Sequence, residues 1–260
     1  MKKAAFFDID GTILDHKNNI PQSTIDGIHK LQKNGNYAFL CTGRTRAYVR
    51  NPALLEIGFD GIISGCGTMV ELQGETLFYK KLEHSLVKDT VAFLKEQRSA
   101  VIMEGRYRLY ADPDDFEGDL YLAKLREELG EKLLPLTGSE TDWEVSKFSC
   151  TTEKIDMESC RNYLSANYEL LIHDIPVMEV VPKGCSKGTG ILNVCERLQI
   201  PLEHTYAFGD SANDLPMFAV AGHSIAMGNA TQLAKQQASY VTDDLHNDGI
   251  YHALEHFGLF

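Results

Sequence analysis

The sequence has no Cys-x-x-Cys pair, no apolar run near the about 20 residues needed to cross a bilayer, and fewer basic than acidic side chains. Its cysteines (Cys41, Cys66, Cys150, Cys160, Cys185 and Cys195) are scattered, so neither a disulfide framework nor a thiolate zinc site is expected. They read as idle thiols in a reducing cytoplasm, which is the expected location. Lys and Arg number 25 against 37 Asp and Glu, a net charge of −12, which argues against a general nucleic-acid binder. No membrane span is expected, and Asp8 and Asp10 interrupt the one stretch that begins like a leader. A P-loop is missing, and the pairs Gly65/Gly67 and Gly188/Gly190 lack the third glycine of a dinucleotide fingerprint. His252 and His256 have ligand spacing but no HExxH around them, and an exposed final helix accounts for them.

Hydrophobic residues, at 43%, suffice for a core. The first part alternates strand and helix: an apolar run Lys3–Ile9, a helix carrying Ile25, Ile28 and Leu31 that stops at Gly35, a strand Tyr37–Cys41, a helix Tyr48–Ile57 and a strand Gly61–Ser64. Val70–Leu72 and Thr76–Phe78 flank Gln73-Gly74-Glu75 and read as a hairpin. From Lys187 the alternation resumes: helix Lys187–Leu198, strand His204–Phe208, helix Asn213–Ala219, strand Ser224–Met227, helix Thr231–Gln237, strand Tyr240–Thr242 and helix Leu245–Phe257. Such alternation predicts an α/β fold, a Rossmann-like parallel sheet with helices on both faces.

The stretch between the two alternating parts holds most of the excess acidity. It reads helix Ser85–Gln97, strands Ala100–Glu104 and Arg106–Ala111, helix Phe116–Leu129, strand Lys147–Thr151, helix Met157–Asn167, and strands Glu169–Ile172 and Val177–Val181. The expected organisation is therefore a core of residues 1–81 and 183–260 interrupted by an α+β domain of residues 82–182.

Four short segments carry candidate chemistry. Asp8-Ile9-Asp10-Gly11-Thr12 puts two carboxylates at the end of an apolar strand, where they sit at its mouth rather than in the sheet interior. Gly209-Asp210-Ser211-Ala212-Asn213-Asp214 follows a second apolar strand and gathers three Asx side chains, hard oxygen donors that suit Mg2+. One Asx residue would suffice to cap the next helix. Thr42-Gly43, followed by Arg44, offers a hydroxyl and backbone N–H groups at a third strand end, a cradle for a phosphate. Lys187 is a cation where the alternating pattern resumes. Arg44 and Arg46 are possible contacts for an anionic substrate, with a solvated helix face as the plainer reading.

Taken in order, Asp8–Thr12, Thr42-Gly43-Arg44, Lys187 and Gly209–Asp214 resemble the haloacid dehalogenase superfamily of aspartate-nucleophile phosphohydrolases. The insert between the second and third segments resembles the subgroup with a large α/β cap, often called Cof-type. The resemblance implies that Asp8 is the nucleophile and Asp10 the acid and base. It implies Mg2+ held by Asp8, the Asp10 carbonyl and Asp210, with Asn213 and Asp214 orienting or completing that site. Thr42, the Gly43 N–H and Lys187 would hold the transferring phosphoryl group. The implied activity is Mg2+-dependent hydrolysis of small phosphorylated metabolites, such as sugar phosphates, flavin mononucleotide or pyridoxal phosphate, with the cap setting specificity.

A phosphomutase, a phosphate-ligand-binding protein without turnover, and an adaptor acting through the acidic insert are the competing readings. The intact Asp8/Asp10 pair weighs against the non-catalytic binder, which could lose Asp10 freely, whereas a hydrolase needs an acid and base there. Glu104, Arg106, Tyr107, His173 and Glu179 lie near expected strand ends of the insert and are its candidate substrate contacts. The sequence leaves the substrate and the oligomeric state open.

Overall fold

The computed structural model describes residues 2–116, 120–136, 143–173 and 175–260. It separates into two compact units, one of Met1–Gly43, Asn51–Phe78 and Ser186–Phe260, the other of Arg44–Arg50 and Tyr79–Cys185. Among the described residues, no helix is long and apolar enough to cross a membrane.

The first unit is built on an eight-stranded sheet. Its order is Tyr240–Val241, His223–Ala226, Thr205–Gly209, Ala4–Phe7, Tyr37–Cys41, Gly61–Ser64, Met69–Leu72 and Glu75–Tyr79. The six strands from Tyr240–Val241 to Gly61–Ser64 run parallel, and Met69–Leu72 turns antiparallel against Gly61–Ser64. Ala4–Phe7, Tyr37–Cys41 and Thr205–Gly209 are buried almost throughout, so they read as continuous apolar runs rather than alternating ones. Phe7 stacks on Phe208 and Phe6 on Phe39, locking three neighbouring strands together. Gln73 and Gly74 both have positive φ, the two-residue turn that suits a hairpin.

The second unit has a six-stranded sheet in the order Tyr168–Ile172, Val177–Pro182, Lys147–Thr151, Val101–Glu104, Leu109–Ala111 and Leu133–Pro135. Its pairs are antiparallel except the last, which is parallel. Alternate residues serve opposite faces. Val101, Met103, Phe148 and Met178 join Val87, Leu94 and Cys160 in one apolar cluster, while Ile102, Leu109 and Ala111 join Leu125 and Leu129 in another. Ala47 belongs to that second cluster, which ties Arg44–Arg50 to this unit although sequence periodicity had grouped it with the alternating core.

Several expected elements differ in extent. Tyr48–Ile57 is a 3-10 turn, Arg46–Tyr48, followed by a helix Pro52–Glu56. Pro52 sits at the helix start and Asn51 caps Leu54 N, so the helix cannot begin earlier. Arg106 and Tyr107 form a hairpin loop closed by Gly105 N to Arg108 O, leaving a strand only at Leu109–Ala111. Asn213–Ala219 splits into a 3-10 turn, Ala212–Asp214, and a short helix, Leu215–Phe218. The final helix starts only at Gly249, after Asp248 with φ +58°. The helix expected over Phe116–Leu129 is present at Leu120–Leu129, and 117–119 lie outside the described residues.

Candidate active site

The chain leaves Ala4–Phe7 for Tyr37–Cys41 and Gly61–Ser64 on one side and adds Thr205–Gly209 on the other. The central strand therefore borders a topological switch point, the position where open α/β sheets bind ligands. Register brings the motifs together there. Phe7 pairs with both Leu40 and Phe208, so Asp8, Thr42 and Asp210 all emerge at the carboxyl edge of three adjacent strands. Asp8 N donates to Phe208 O at 2.9 Å, and Thr42 N donates to Ile63 O at 2.8 Å.

Asp8, Asp210 and Asp214 each place a carboxylate oxygen within 4.8 Å of the others. Lys187 Nζ donates to Asp8 Oδ1 at 2.6 Å, to Asp214 Oδ1 at 2.6 Å and to Asn213 Oδ1 at 3.2 Å. Lys187 is the first residue of its helix. Ser186 caps that helix with a reciprocal box to Thr189, which fixes where the lysine leaves the backbone. The helix is seated by glycines: a Cβ on Gly67 would overlap Ser186 O, one on Gly188 would overlap Pro216 O, and one on Gly190 would overlap the Ile63 side chain.

Asp214 has both oxygens engaged. Oδ1 takes Lys187, and Oδ2 accepts from Asp210 N at 2.8 Å and Ser211 N at 3.0 Å. It thus orients the ammonium and the Asp210 backbone together. Asn213 Oδ1 also accepts from Ser211 Oγ at 3.0 Å. Thr12 Oγ1 donates to Asp210 Oδ1 at 3.5 Å, and a Cβ on Gly11, whose φ is +80°, would overlap Asp210 Oδ2. The turn after Asp10 therefore has to be glycine to let Asp210 approach. Asn229 Nδ2 donates to Gly11 O at 2.7 Å, while its Oδ1 accepts from Leu245 N at 3.1 Å. Asn229 was not expected from the sequence, since a Gly-Asn dipeptide in a turn carries no signal of this role.

The electrostatics follow from the crowding. Burial pushes the Asp8 carboxyl well above its usual range; Lys187 opposes this, and Asp214, Asp210 and Asp10 add to it. Asp210 is pushed up to about 7, by burial first and then by Asp214 and Asp10. Burial alone would lower Lys187, but Asp214 and Asp8 outweigh it and hold the ammonium well above its usual range. One ammonium thus faces several carboxylates at a buried strand mouth. A small divalent cation with oxygen affinity fits both this donor set and its unbalanced charge. Cys41 is fully buried beside this group, and burial pushes its thiol up, so it packs rather than reacts.

Thr42 and Gly43 are buried at the end of their strand. Arg44 and Arg46 continue into the second unit, where the Arg44 guanidinium lies 4.5 Å from the Tyr48 ring centre and Arg46 donates to Val49 O at 3.2 Å. In that unit Glu104, Lys147, Ser149, Glu179 and His173 form a polar network. Lys147 pairs with Glu104 at 3.0 Å and with Glu179, Ser149 Oγ donates to Glu104, and His173 meets Glu179 at 2.9 Å. Arg106 lies over Tyr79 and Tyr107 at 5.5 and 4.9 Å.

The profile of the haloacid dehalogenase-like hydrolases matches residues 5–254. A Bacillus subtilis (strain 168) protein named "Putative phosphatase YkrA" is 33% identical over 99% of this chain and 98% of its own. The HMP-PP phosphatase of Yersinia enterocolitica is 26% identical over 99% of this chain and 96% of its own. Among solved structures, the HAD subclass IIB sugar phosphatase BT4131 superposes over the whole of both chains with a TM-score of 0.84 at 26% identity.

Proposed function

Since the chain belongs to the haloacid dehalogenase-like hydrolases, we propose that it is a Mg2+-dependent phosphatase that removes phosphate from small phosphorylated metabolites through an aspartyl-phosphate on Asp8. The observation that carries this reading is the buried contact of Lys187 with both Asp8 and Asp214 inside a carboxylate cluster. A buried ion pair is a poor stability device, and this one leaves negative charge in excess. The names of the relatives, a phosphatase of HMP-PP and a sugar phosphatase, support small phosphorylated substrates.

Asp8 attacks phosphorus. The bond from its oxygen to phosphorus forms as the ester oxygen leaves, and Asp10 gives that oxygen a proton. Water then attacks the same phosphorus, its proton goes to Asp10, and the Asp8 oxygen is released. Lys187 holds the Asp8 carboxylate in place and offsets charge on the phosphoryl oxygens. Thr42 and the Gly43 N–H bind those oxygens. Asp8, the Asp10 carbonyl and Asp210 would hold Mg2+, while the engaged oxygens of Asp214 suit a role one step back, through Lys187 and the Asp210 backbone. When bound, the metal neutralises charge between two anions that would otherwise repel. The second unit is proposed as the cap that sets specificity, and Arg44 and Arg46 as contacts for the anionic substrate.

The test is phosphate release from a panel of sugar phosphates and phosphorylated cofactors, in Mg2+ and then in EDTA. Release that requires Mg2+ and disappears in Asp8→Asn supports the reading. Release that persists in Asp8→Asn overturns the nucleophile assignment.

A further inference from the structure

The hairpin that joins Gly61–Ser64 to Met69–Leu72 lies wholly within the first unit, and its loop departs from the ordinary in two respects. Gly65, Cys66 and Gly67 all have positive φ, at +58°, +53° and +82°, whereas a loop of this length is most often built around a right-handed turn. The loop is also buried from Gly65 to Thr68, although connecting segments run over the surface in most proteins. Two bonds of its own close the left-handed turn, Gly67 N to Ser64 O and Thr68 N to Gly65 O, both at 3.1 Å. Glycine takes this conformation freely, but cysteine does not, so the chain carries backbone strain at Cys66. Strain of this kind persists only where the surroundings enforce it, and it gathers at functional sites.

The surroundings here are two segments of the same unit, one carrying Thr42 and the other Lys187. On one side, Cys66 N donates to Thr42 O at 3.1 Å, while Thr42 N donates to Ile63 O at 2.8 Å, so the Thr42 backbone is held at both its carbonyl and its N–H. On the other side, Gly67 lies so close to Ser186 O that a Cβ there would overlap it. Ser186 caps the helix that Lys187 begins, and Lys187 Nζ reaches Asp8 Oδ1. One strained turn therefore touches the backbone of Thr42 and the start of the Lys187 helix at adjacent residues. From this we infer that the turn Gly65–Gly67 is a positioning element that sets the spacing between Thr42 and Lys187. Cys66 acts in it through its backbone N–H, not through its thiol. The inference rests on the phosphatase reading and on the phosphate role of Thr42 and Lys187.

The experiment measures inhibition by inorganic phosphate, KM, kcat and melting temperature in Cys66→Val, Cys66→Ala and Gly65→Ala. Valine is branched at Cβ and resists left-handed backbone far more than cysteine does, whereas alanine tolerates it about as well and removes only the sulfur. Cys66→Val should raise the phosphate inhibition constant and KM together by about two- to thirtyfold, the range for changes transmitted through a contact chain. Cys66→Ala, the conservative variant, should keep both constants within about twofold of wild type. Gly65→Ala puts a milder strain of the same kind on the turn at φ +58° and should raise both constants at least twofold, which serves where the valine protein does not fold. A purely structural role would lower the melting temperature and the active fraction while leaving both constants unmoved. Both constants within twofold of wild type in Cys66→Val, or in Gly65→Ala where Cys66→Val does not fold, overturn the inference. An equal rise in Cys66→Ala and Cys66→Val also overturns it, since the effect would then lie in the sulfur and not in the backbone. Either result leaves the phosphatase reading intact. Absence of phosphate release from the wild-type protein overturns the reading itself.

Discussion

Asp214→Asn is a small change on paper, but the structure makes it a severe one. The carboxylate accepts on both sides: from the Lys187 ammonium at Oδ1, and from the N–H groups of Asp210 and Ser211 at Oδ2. An asparagine has one acceptor and one donor end. With its oxygen toward Lys187, its NH2 opposes two backbone donors. With its oxygen toward the backbone, its NH2 opposes an ammonium that is 1% exposed. Either orientation loses at least one charge-assisted bond and leaves buried donors unpaired. The cost of breaking such a pair is about 3–5 kcal/mol. At about 2–4 °C per kcal/mol, that lowers the melting temperature by roughly 6–20 °C. The assay is thermal denaturation in EDTA, with Asp210→Asn as the comparison. Asp210 is pushed up by burial and by its acidic neighbours, so removing its charge relieves repulsion and should cost far less stability. Equal melting temperatures for Asp214→Asn and wild type, or a larger loss in Asp210→Asn, would refute this account of the loop.

Lys187→Met removes the ammonium that Asp8 and Asp214 share, so turnover should vanish and the melting temperature in EDTA should fall, by less at pH 5 than at pH 8 because protonated carboxylates no longer repel; an unchanged melting temperature across that range refutes it. Gly11→Ala places a Cβ against Asp210 Oδ2 at φ +80°, so turnover should drop about tenfold or more while stability falls by about 1–3 kcal/mol, and wild-type kinetics would show that this turn is not constrained. Asp210, with its folded value of about 7, is raised above the usual carboxylate range, so in EDTA its contribution to stability is complete below pH 4 and is lost as pH rises through 7. Stabilisation by Mg2+, read as the melting-temperature difference from EDTA, should therefore grow from pH 6 to pH 8, and a flat or falling difference refutes it.

How much of this was legible in the sequence varies with what each residue depends on. Asp8, Thr42 and Asp210 could be read because each follows an apolar run, and parallel register alone brings such strand ends to one edge. Lys187 could be read only as a cation at a boundary. Its bond to Asp214 depends on a helix seated by Gly67, Gly188 and Gly190, which are contacts between segments far apart in the chain. Asn229 left no local signal, since nothing near residue 229 in the chain announces its partner. The helix expected at Tyr48–Ile57 was misread for a local reason, Pro52, whose effect on Asn51 outweighs apolar spacing. Leu133–Pro135 was unreadable as a strand, because three residues carry no period and it exists only by pairing with Leu109–Ala111.

Two buried charge clusters among the described residues differ in a way that bears on function. In the second unit, Glu104 and Glu179 are met by Lys147 and His173, and Glu179 is held well below its usual range despite burial, because Lys147 and His173 favour its charged form. Close partners there outweigh burial and favour the charged form of Glu179. At the strand mouth of the first unit the outcome is the opposite: Asp8 and Asp210 are pushed up, by burial first and then by the neighbouring carboxylates, and Lys187 only partly opposes this. Carboxylates that are offset by close partners in one sheet and crowded together at the strand mouth of the other leave the excess negative charge where a cation would relieve it. The shortage of positive charge, more than the presence of any one aspartate, marks the site.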